Sequence, residues 1–518
     1  MDIKTEVGGT MLRSVKQQLK QYRTYADYLN EIDEADLLYG LLGCGMFSDK
    51  LPPLFSSEGL CRYVRANRKS IKRKSCAHVA FNVPKNKPGI RLMGIPHPLS
   101  YSQLCLTLEK YWSGIKKVLV DNCKQQDYKV SRIHLRKQGA SGKLFKMNYH
   151  LWRADGDPVP LIQTDASYQI NTDISLCFPS IYSHAVAWAL AGKSKAKSNR
   201  NGKFWFNQID RDLRNCTDTE THGILIGPDA SNLIAEILLT RIDKELIAKG
   251  YRYIRNIDDF TCFAGSPEEA EHFLVDLDKQ LSTFGLQRNQ KKTSIDALPI
   301  SSEDDWVSEM RAMSSELPQK LDRGDVRRAF DHGISLMQKS GDNASVIIYL
   351  LRILTCRELT VPATELLSAR MLQLVRLYPY LVTTFEDLVI EKCGTNLDDV
   401  QSLSRDLYNK GIASHNLYPA YYAFYYAMKY HFTLPGVNVD EIIDSGDCLL
   451  KTFEFLYSKQ KNNSGAIQKL RDDAKQIIKS NEGDHNWLFV YEALTDTELK
   501  GSGLEILKTS GVTFTLPL

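Results

Sequence analysis

The chain has 518 residues, 43% of them hydrophobic and 25% charged, with a formal net charge of +4. That balance belongs to a folded globular protein of several domains, and it excludes wholesale disorder, collagen-like repetition and a small disulfide scaffold. The charge is unevenly spread: residues 1–150 carry 26 Lys and Arg against 12 Asp and Glu, and the remainder 40 against 50, so a polyanionic partner is expected at one end.

In chain order, MDIKTEVGGT has acidic residues and no apolar stretch, so it does not read as a signal peptide. Residues 1–80 form a helical, basic region, since MLRSVKQQLKQYRTYADYLNEI and DEADLLYGLLGCGMF place apolar residues at helical spacing. The run CRYVRANRKSIKRK brings Arg62, Arg65, Arg68, Lys69, Lys72, Arg73 and Lys74 together, with Tyr63 and Ile71 interleaved. It reads equally as a nucleic-acid-binding face and as a solvated face of an amphipathic helix. Residues 81–300 are richer in short β runs. KNKPGIRLMGIPHPLS is hairpin-like, SYSQLCLTLEKYWSGIKKVL is an amphipathic helix, and RIHLRK, KLFKMNYHLW and YRYIRNIDDFTCF read as strands.

From SSEDDWVSEMRAMSSE at Ser301, residues 301–518 carry helical periodicity almost throughout, which predicts an all-helical bundle or repeat stack with no clean repeating period. Its longest apolar run, SVIIYLLRIL, is broken by Arg352 well short of the roughly 20 residues of a membrane span. No membrane partner is expected. The 11 cysteines include no CxxC pair, a pattern that suits the reduced cytoplasm and predicts no structural zinc.

The chemistry concentrates in YRYIRNIDDFTCFAG, where Asp258 and Asp259 interrupt an apolar, aromatic strand pattern. Buried carboxylates are costly without partners, and a hairpin turn offers both at one edge. QINTDISLCFPSIYSHAVAWAL places Asp173 at a strand end 85 residues upstream. Three such carboxylates holding two divalent ions roughly 3.5–4 Å apart are the machinery of nucleotidyl transfer. Magnesium suits this work because it takes oxygen ligands and leaves positions open for phosphates; manganese can substitute.

These segments resemble the motifs of reverse transcriptases. DISLCFPSI from Asp173 is similar to motif A, HGILIGPDASNLIAEILLTRID from His222 to motif B, NIDD from Asn256 to motif C, and GLQRNQKKTSI to motif D. RLMGIPHPLSYSQL is similar to the fingers segment before the palm. IPHPLSYSQL, FPSIYSHAVAWAL and GPDASNLIAEI further resemble the antiphage, abortive-infection group of prokaryotic reverse transcriptases. The resemblance implies an α+β fold: fingers and palm with an antiparallel palm sheet, a helical N-terminal segment and a HEAT-like helical C-terminal domain. It also implies a bacterial cytoplasmic enzyme, often homo-oligomeric. Such an enzyme makes DNA from dNTPs on an associated non-coding RNA or without a template.

Residue roles follow from the same resemblance. Asp173 and Asp258 bind two Mg2+ ions with Asp259 beside them. Phe178 stands at the sugar gate and selects dNTPs. Gly227 and Pro228 floor the nascent base pair, and Lys292 approaches the triphosphate. In SRIHLRKQGASGKLFK, with Lys137, Lys143 and Lys146 also present, Arg132 and Arg136 are the expected phosphate cations, and GASG is a hairpin tip. The chain departs from the family pattern at Asn256, where an aromatic residue is usual, and at His222, where Gln is usual. His184 and His222 read as structural, and the tyrosine-rich helix from Tyr418 to Tyr430 as packing rather than as a priming hydroxyl. Two other readings share these residues: a template-independent nucleotidyltransferase with the same palm, and an inactive RNA-binding scaffold.

Overall fold

The computed structural model describes residue 18 and residues 22–133, 135–139, 142–145, 155–198 and 202–518. The chain is rich in α-helix, with a small antiparallel sheet and a helical C-terminal region. Residues 11–17 and 19–21 of the expected first helix lie outside the described residues, as do most of KLFKMNYHLW, Lys146 and the centre of GASG.

Strands β1 (His78–Pro84) and β2 (Ile90–Pro96) form the antiparallel hairpin expected around KNKPG, in a register that sets His78 opposite Pro96. The central sheet contains β3 (Tyr168–Asp173), β4 (Arg252–Asn256), β5 (Asp259–Ala264) and β6 (Ser294–Ala297), in the order β4-β5-β3-β6, with every pairing antiparallel. RIHLRK is not a strand of this sheet. It runs beside β4 through an isolated parallel bridge, Ser131 to Arg255, with Arg132 N–H donating to the Arg255 carbonyl. Helix Asp229–Ala248 packs against helix Trp112–Cys123, while helix Pro267–Thr283 lies on β3 and β5.

The C-terminal region runs through helices from Asp305–Glu316 to Glu505–Thr509. It is not wholly helical, because Lys320–Leu321 and Glu358–Leu359 form a two-residue parallel ladder. One continuous set of buried apolar side chains extends from Tyr25 to Phe514. The tyrosine-rich helix Tyr418–Lys429 lies inside it. Tyr418, Tyr421, Tyr422, Tyr425 and Tyr426 are all buried, and their hydroxyls are spent on Lys50, Asp447, Glu386 and Val382. No described helix is long and apolar enough to cross a membrane, and none of the 11 cysteines is in a disulfide.

Candidate active site

The β3–β5 register sets Asp173 directly opposite Asp259 at one end of the sheet. Asp258 precedes Asp259 in the two-residue turn from β4, and its carbonyl accepts from the Ile174 amide at 3.2 Å. All three aspartates therefore share one sheet edge, as the sequence predicts. The other turn residue, Ile257, has φ 58°. A β-branched side chain is strongly disfavoured in that left-handed region, so surrounding contacts must hold it there.

Arg255 supplies one such contact. Its Nη1 donates to the Ile257 carbonyl at 2.8 Å. The guanidinium is fully buried: the same Nη1 reaches Glu236 at 3.2 Å, and Nη2 pairs with Asp243 at 2.6 Å, both acids on helix Asp229–Ala248. Tyr253 also donates to Asp243, at 2.8 Å. Sequence reasoning passed over this network. Its signal was present: Glu236 and Asp243 stand two helical turns apart in a mostly apolar stretch, so one buried face carries two acids that need a cation.

At the aspartates themselves, Asp173 is 7% exposed and its Oδ1 is buried without a hydrogen-bond partner. Its Oδ2 receives the Lys292 ammonium at 2.6 Å. This bond, together with the neighbouring carboxylates, raises the lysine above its ordinary range. Burial, followed by the charges of Asp259 and Asp173, pushes the Asp258 carboxyl up to about 6. Burial and Asp173 raise Asp259 as well. Crowded carboxylates that resist ionisation, beside an orphaned carboxylate oxygen, form a hard-oxygen donor set that fits a divalent cation such as Mg2+. Side-chain oxygens of the three are not all within 4.8 Å of one another, a spacing met among the described residues by a different group.

The remaining motifs converge here through backbone bonds. Asn289 N–H donates to the Asp173 carbonyl at 2.8 Å, which seats the Gln290–Lys292 turn beside β3. Phe178 lies in the short helix Cys177–Ser180, half-buried against the core, and its carbonyl accepts from Ile224 at 3.0 Å. Gly227 has φ 131°, and a Cβ there would meet the Gly94 carbonyl at 3.1 Å, so the loop needs glycine to lie against β2. Pro228 is the N-cap of helix Asp229–Ala248. His222 bridges to Tyr182, with rings 5.0 Å apart, and His184 is held by Asp210 at 2.6 Å.

Arg132 and Arg136 are already engaged within the protein. Both are buried: Arg132 donates to the Gly156 carbonyl at 2.6 Å, and Arg136 pairs with Asp155 at 2.7 Å. Lys129 pairs with Asp155 too, and burial brings this lysine down to about 7. A buried guanidinium needs an acid nearby, and Asp155, distant in sequence, meets that need. Lys137 and Lys143 are engaged by Asp36 and Asp49. In the basic stretch, Arg65 donates to the Ala35 carbonyl, while Arg68, Arg73 and Lys74 pair with Glu109, Asp212 and Asp484. Arg62, Lys69 and Lys72 are exposed and have no ion pair among the described residues. Among the described residues, ion pairs thus engage three of the seven basic side chains and a backbone carbonyl engages a fourth.

No family model matches the chain, and no curated protein does. Among solved structures, apo telomerase of Candida tropicalis truncated from its C-terminal domain is 13% identical, with a TM-score of 0.29, over 47% of this chain and 55% of that one. Telomerase of Candida albicans in complex with a fragment of telomeric RNA is 10% identical, with a TM-score of 0.30, over 88% of this chain and 70% of that one. Likeness at this level establishes neither an activity nor a family.

Proposed function

We propose that the chain is a DNA polymerase of reverse-transcriptase type, extending a 3′-hydroxyl with dNTPs at the Asp173, Asp258 and Asp259 edge. The observation that carries this reading is the register itself: Asp173 opposite Asp259, Asp258 in the adjoining turn, and Lys292 in hydrogen-bond contact with Asp173.

Asp173 and Asp258, with Asp259, would hold two Mg2+ ions. When bound, such ions lower the pKa of the attacking hydroxyl and stabilise charge on the phosphates. The protein's own part is to present the carboxylates on a rigid sheet edge, with the Arg255 network fixing the turn beneath Asp258. Lys292 neutralises Asp173 in the absence of substrate, and its long exposed stem lets it swing to a triphosphate oxygen as the substrate arrives. Phe178, tied to the motif B loop, sets a wall beside the sugar. Gly227 and Pro228 let the backbone of that loop approach the base pair closely. Copying of an associated RNA in antiphage defence, and assembly as a homo-oligomer, extend the reading on motif wording alone.

The test is incorporation of labelled dNTPs, singly and together, by full-length protein purified with any bound RNA, in Mg2+, beside Asp258→Asn. DNA made by wild type and not by the variant supports the polymerase. Loss of product after RNase identifies an RNA template, whereas survival favours template-free extension. Equal signal from the two proteins, or none from wild type with primer and template supplied, overturns the reading.

A further inference from the structure

Away from the aspartates, Cys76, His97 and Asp484 offer ligand atoms that all lie within 4.8 Å of one another. Cys76 precedes β1, His97 follows β2, and Asp484 lies in the loop before helix Trp487–Ala493. The hairpin register brings the first two together by pairing His78 with Pro96. Trp487 Nε1 donates to the Ile95 carbonyl at 3.4 Å and draws the distant loop alongside.

Cys76 and His97 are 0% exposed. His97 Nε2 has no hydrogen-bond partner, and its nearest acid, Asp484 Oδ1, is 3.7 Å away, too far for a hydrogen bond. A fully buried imidazole nitrogen aimed at a carboxylate and a thiol, yet bonded to neither, leaves its polar capacity unused. Sulfur, nitrogen and oxygen donors together suit a borderline-soft ion of small coordination number rather than Mg2+ or Ca2+, which take oxygen.

We propose that Cys76, His97 and Asp484 bind one Zn2+ ion, which fastens the β1–β2 hairpin to the loop entering helix Trp487–Ala493. On binding, the Cys76 Sγ–H bond breaks, its proton passes to solvent, and the thiolate bonds the metal; no redox change occurs. His97 binds through Nε2, so its ring proton shifts from Nε2 to Nδ1, which gives up the long 3.3 Å bond it accepts from the Leu99 amide. Lys74, 3.0 Å from Asp484 Oδ1, also donates to the Ser502 carbonyl at 3.2 Å, and that carbonyl retains the ammonium when the metal takes the carboxylate oxygen. Water fills the fourth position. The ligands are 21 and 387 residues apart in sequence, which is why cysteine spacing predicted no zinc.

The test is cobalt and zinc titration of the full-length protein, purified without chelator. One equivalent of Co2+ should give a thiolate-to-cobalt charge-transfer band that Zn2+ abolishes. Cys76→Ala should lack the band, and His97→Gln and Asp484→Asn should each weaken binding at least about tenfold, the scale of a damaged metal site. Cys356→Ser, at an exposed cysteine, should keep the band. Asp258→Asn should keep it as well, so a failed zinc site and a failed polymerase are separable. If Cys76→Ala does not fold, the wild-type spectrum and its zinc content after gel filtration decide the matter. A band that survives Cys76→Ala, or a wild-type protein that holds no zinc and shows no cobalt–thiolate band, overturns the proposal and leaves a Lys74–Asp484 hydrogen-bonded staple.

Discussion

At the residue scale, two carboxylates, Asp258 half-buried and Glu454 buried, behave in ways that can be measured. Asp258 carries its charge against burial and two neighbouring aspartates, so the folded protein is strained by the group its proposed chemistry needs. Asp258→Asn should therefore lose activity on the order of 10³-fold or more, the scale for a member of a catalytic group. In the presence of a chelator it should melt no lower than wild type at pH 7.5. A variant that melts well below wild type would make Asp258 a structural residue. Glu454, 1% exposed, has one oxygen bonded to Ser458 at 2.6 Å and the other unpartnered. Burial raises it from 4.5 to about 7. A raised carboxyl favours the folded state while protonated, so its contribution is full below about 4.5 and is lost as pH rises through about 7. Glu454→Gln should gain about 2–3 kcal/mol over wild type at pH 8 and nothing at pH 4.5, by urea unfolding at both values. Equal differences at the two pH values would refute the assignment.

At the element scale, the turn between β4 and β5 depends on the helix behind it. Arg255 links the strained Ile257 carbonyl to Asp243 and Glu236, and all three charged groups are buried. Removing one partner of such a set leaves uncompensated charge, so Arg255→Met should cost about 3–5 kcal/mol in urea unfolding. Arg255→Lys keeps the charge but loses the fork that reaches both the helix and the turn. It should lower incorporation more than it lowers stability, and a variant with wild-type turnover would detach the turn from the network. This is also where the sequence stopped being legible. Asp173 and Asp258 were readable as carboxylates brought to one edge because each sits in a short local pattern, whereas Gly227 and Lys292 were singled out only by the resemblance of their segments to motifs B and D. Arg255 was not, since its acids lie on a different element and only the fold brings them together. Arg132 and Arg136 show the opposite case: a cation-rich segment looks free until Asp155, outside the local window, is placed against it.

At the scale of the whole molecule, the division at about residue 300 that the sequence suggests meets a core that crosses it. Phe47 stacks on Phe55 at 5.5 Å, Phe55 meets Phe453 at 5.4 Å, and Trp487 meets Phe514 at 5.0 Å. Backbone bonds follow the same route. Ser56 N–H donates to the Phe514 carbonyl, Leu516 N–H to the Leu54 carbonyl, and Ala344 N–H to the Asn86 carbonyl in the loop of the β1–β2 hairpin. Tyr418 donates to the Lys50 carbonyl at 2.5 Å. The N-terminal region is thus completed by residues from the far end of the chain, and neither part buries its apolar surface without the other. Phe514 is 0% exposed, so Phe514→Ala should cost about 3–5 kcal/mol through the cavity it leaves. If the two regions unfold together, the urea midpoints of helical signal and of dNTP incorporation will shift down by the same amount. A variant that loses helical signal early while incorporation keeps its wild-type midpoint would show a separately folding C-terminal domain, and the continuous core would then be contact without cooperativity.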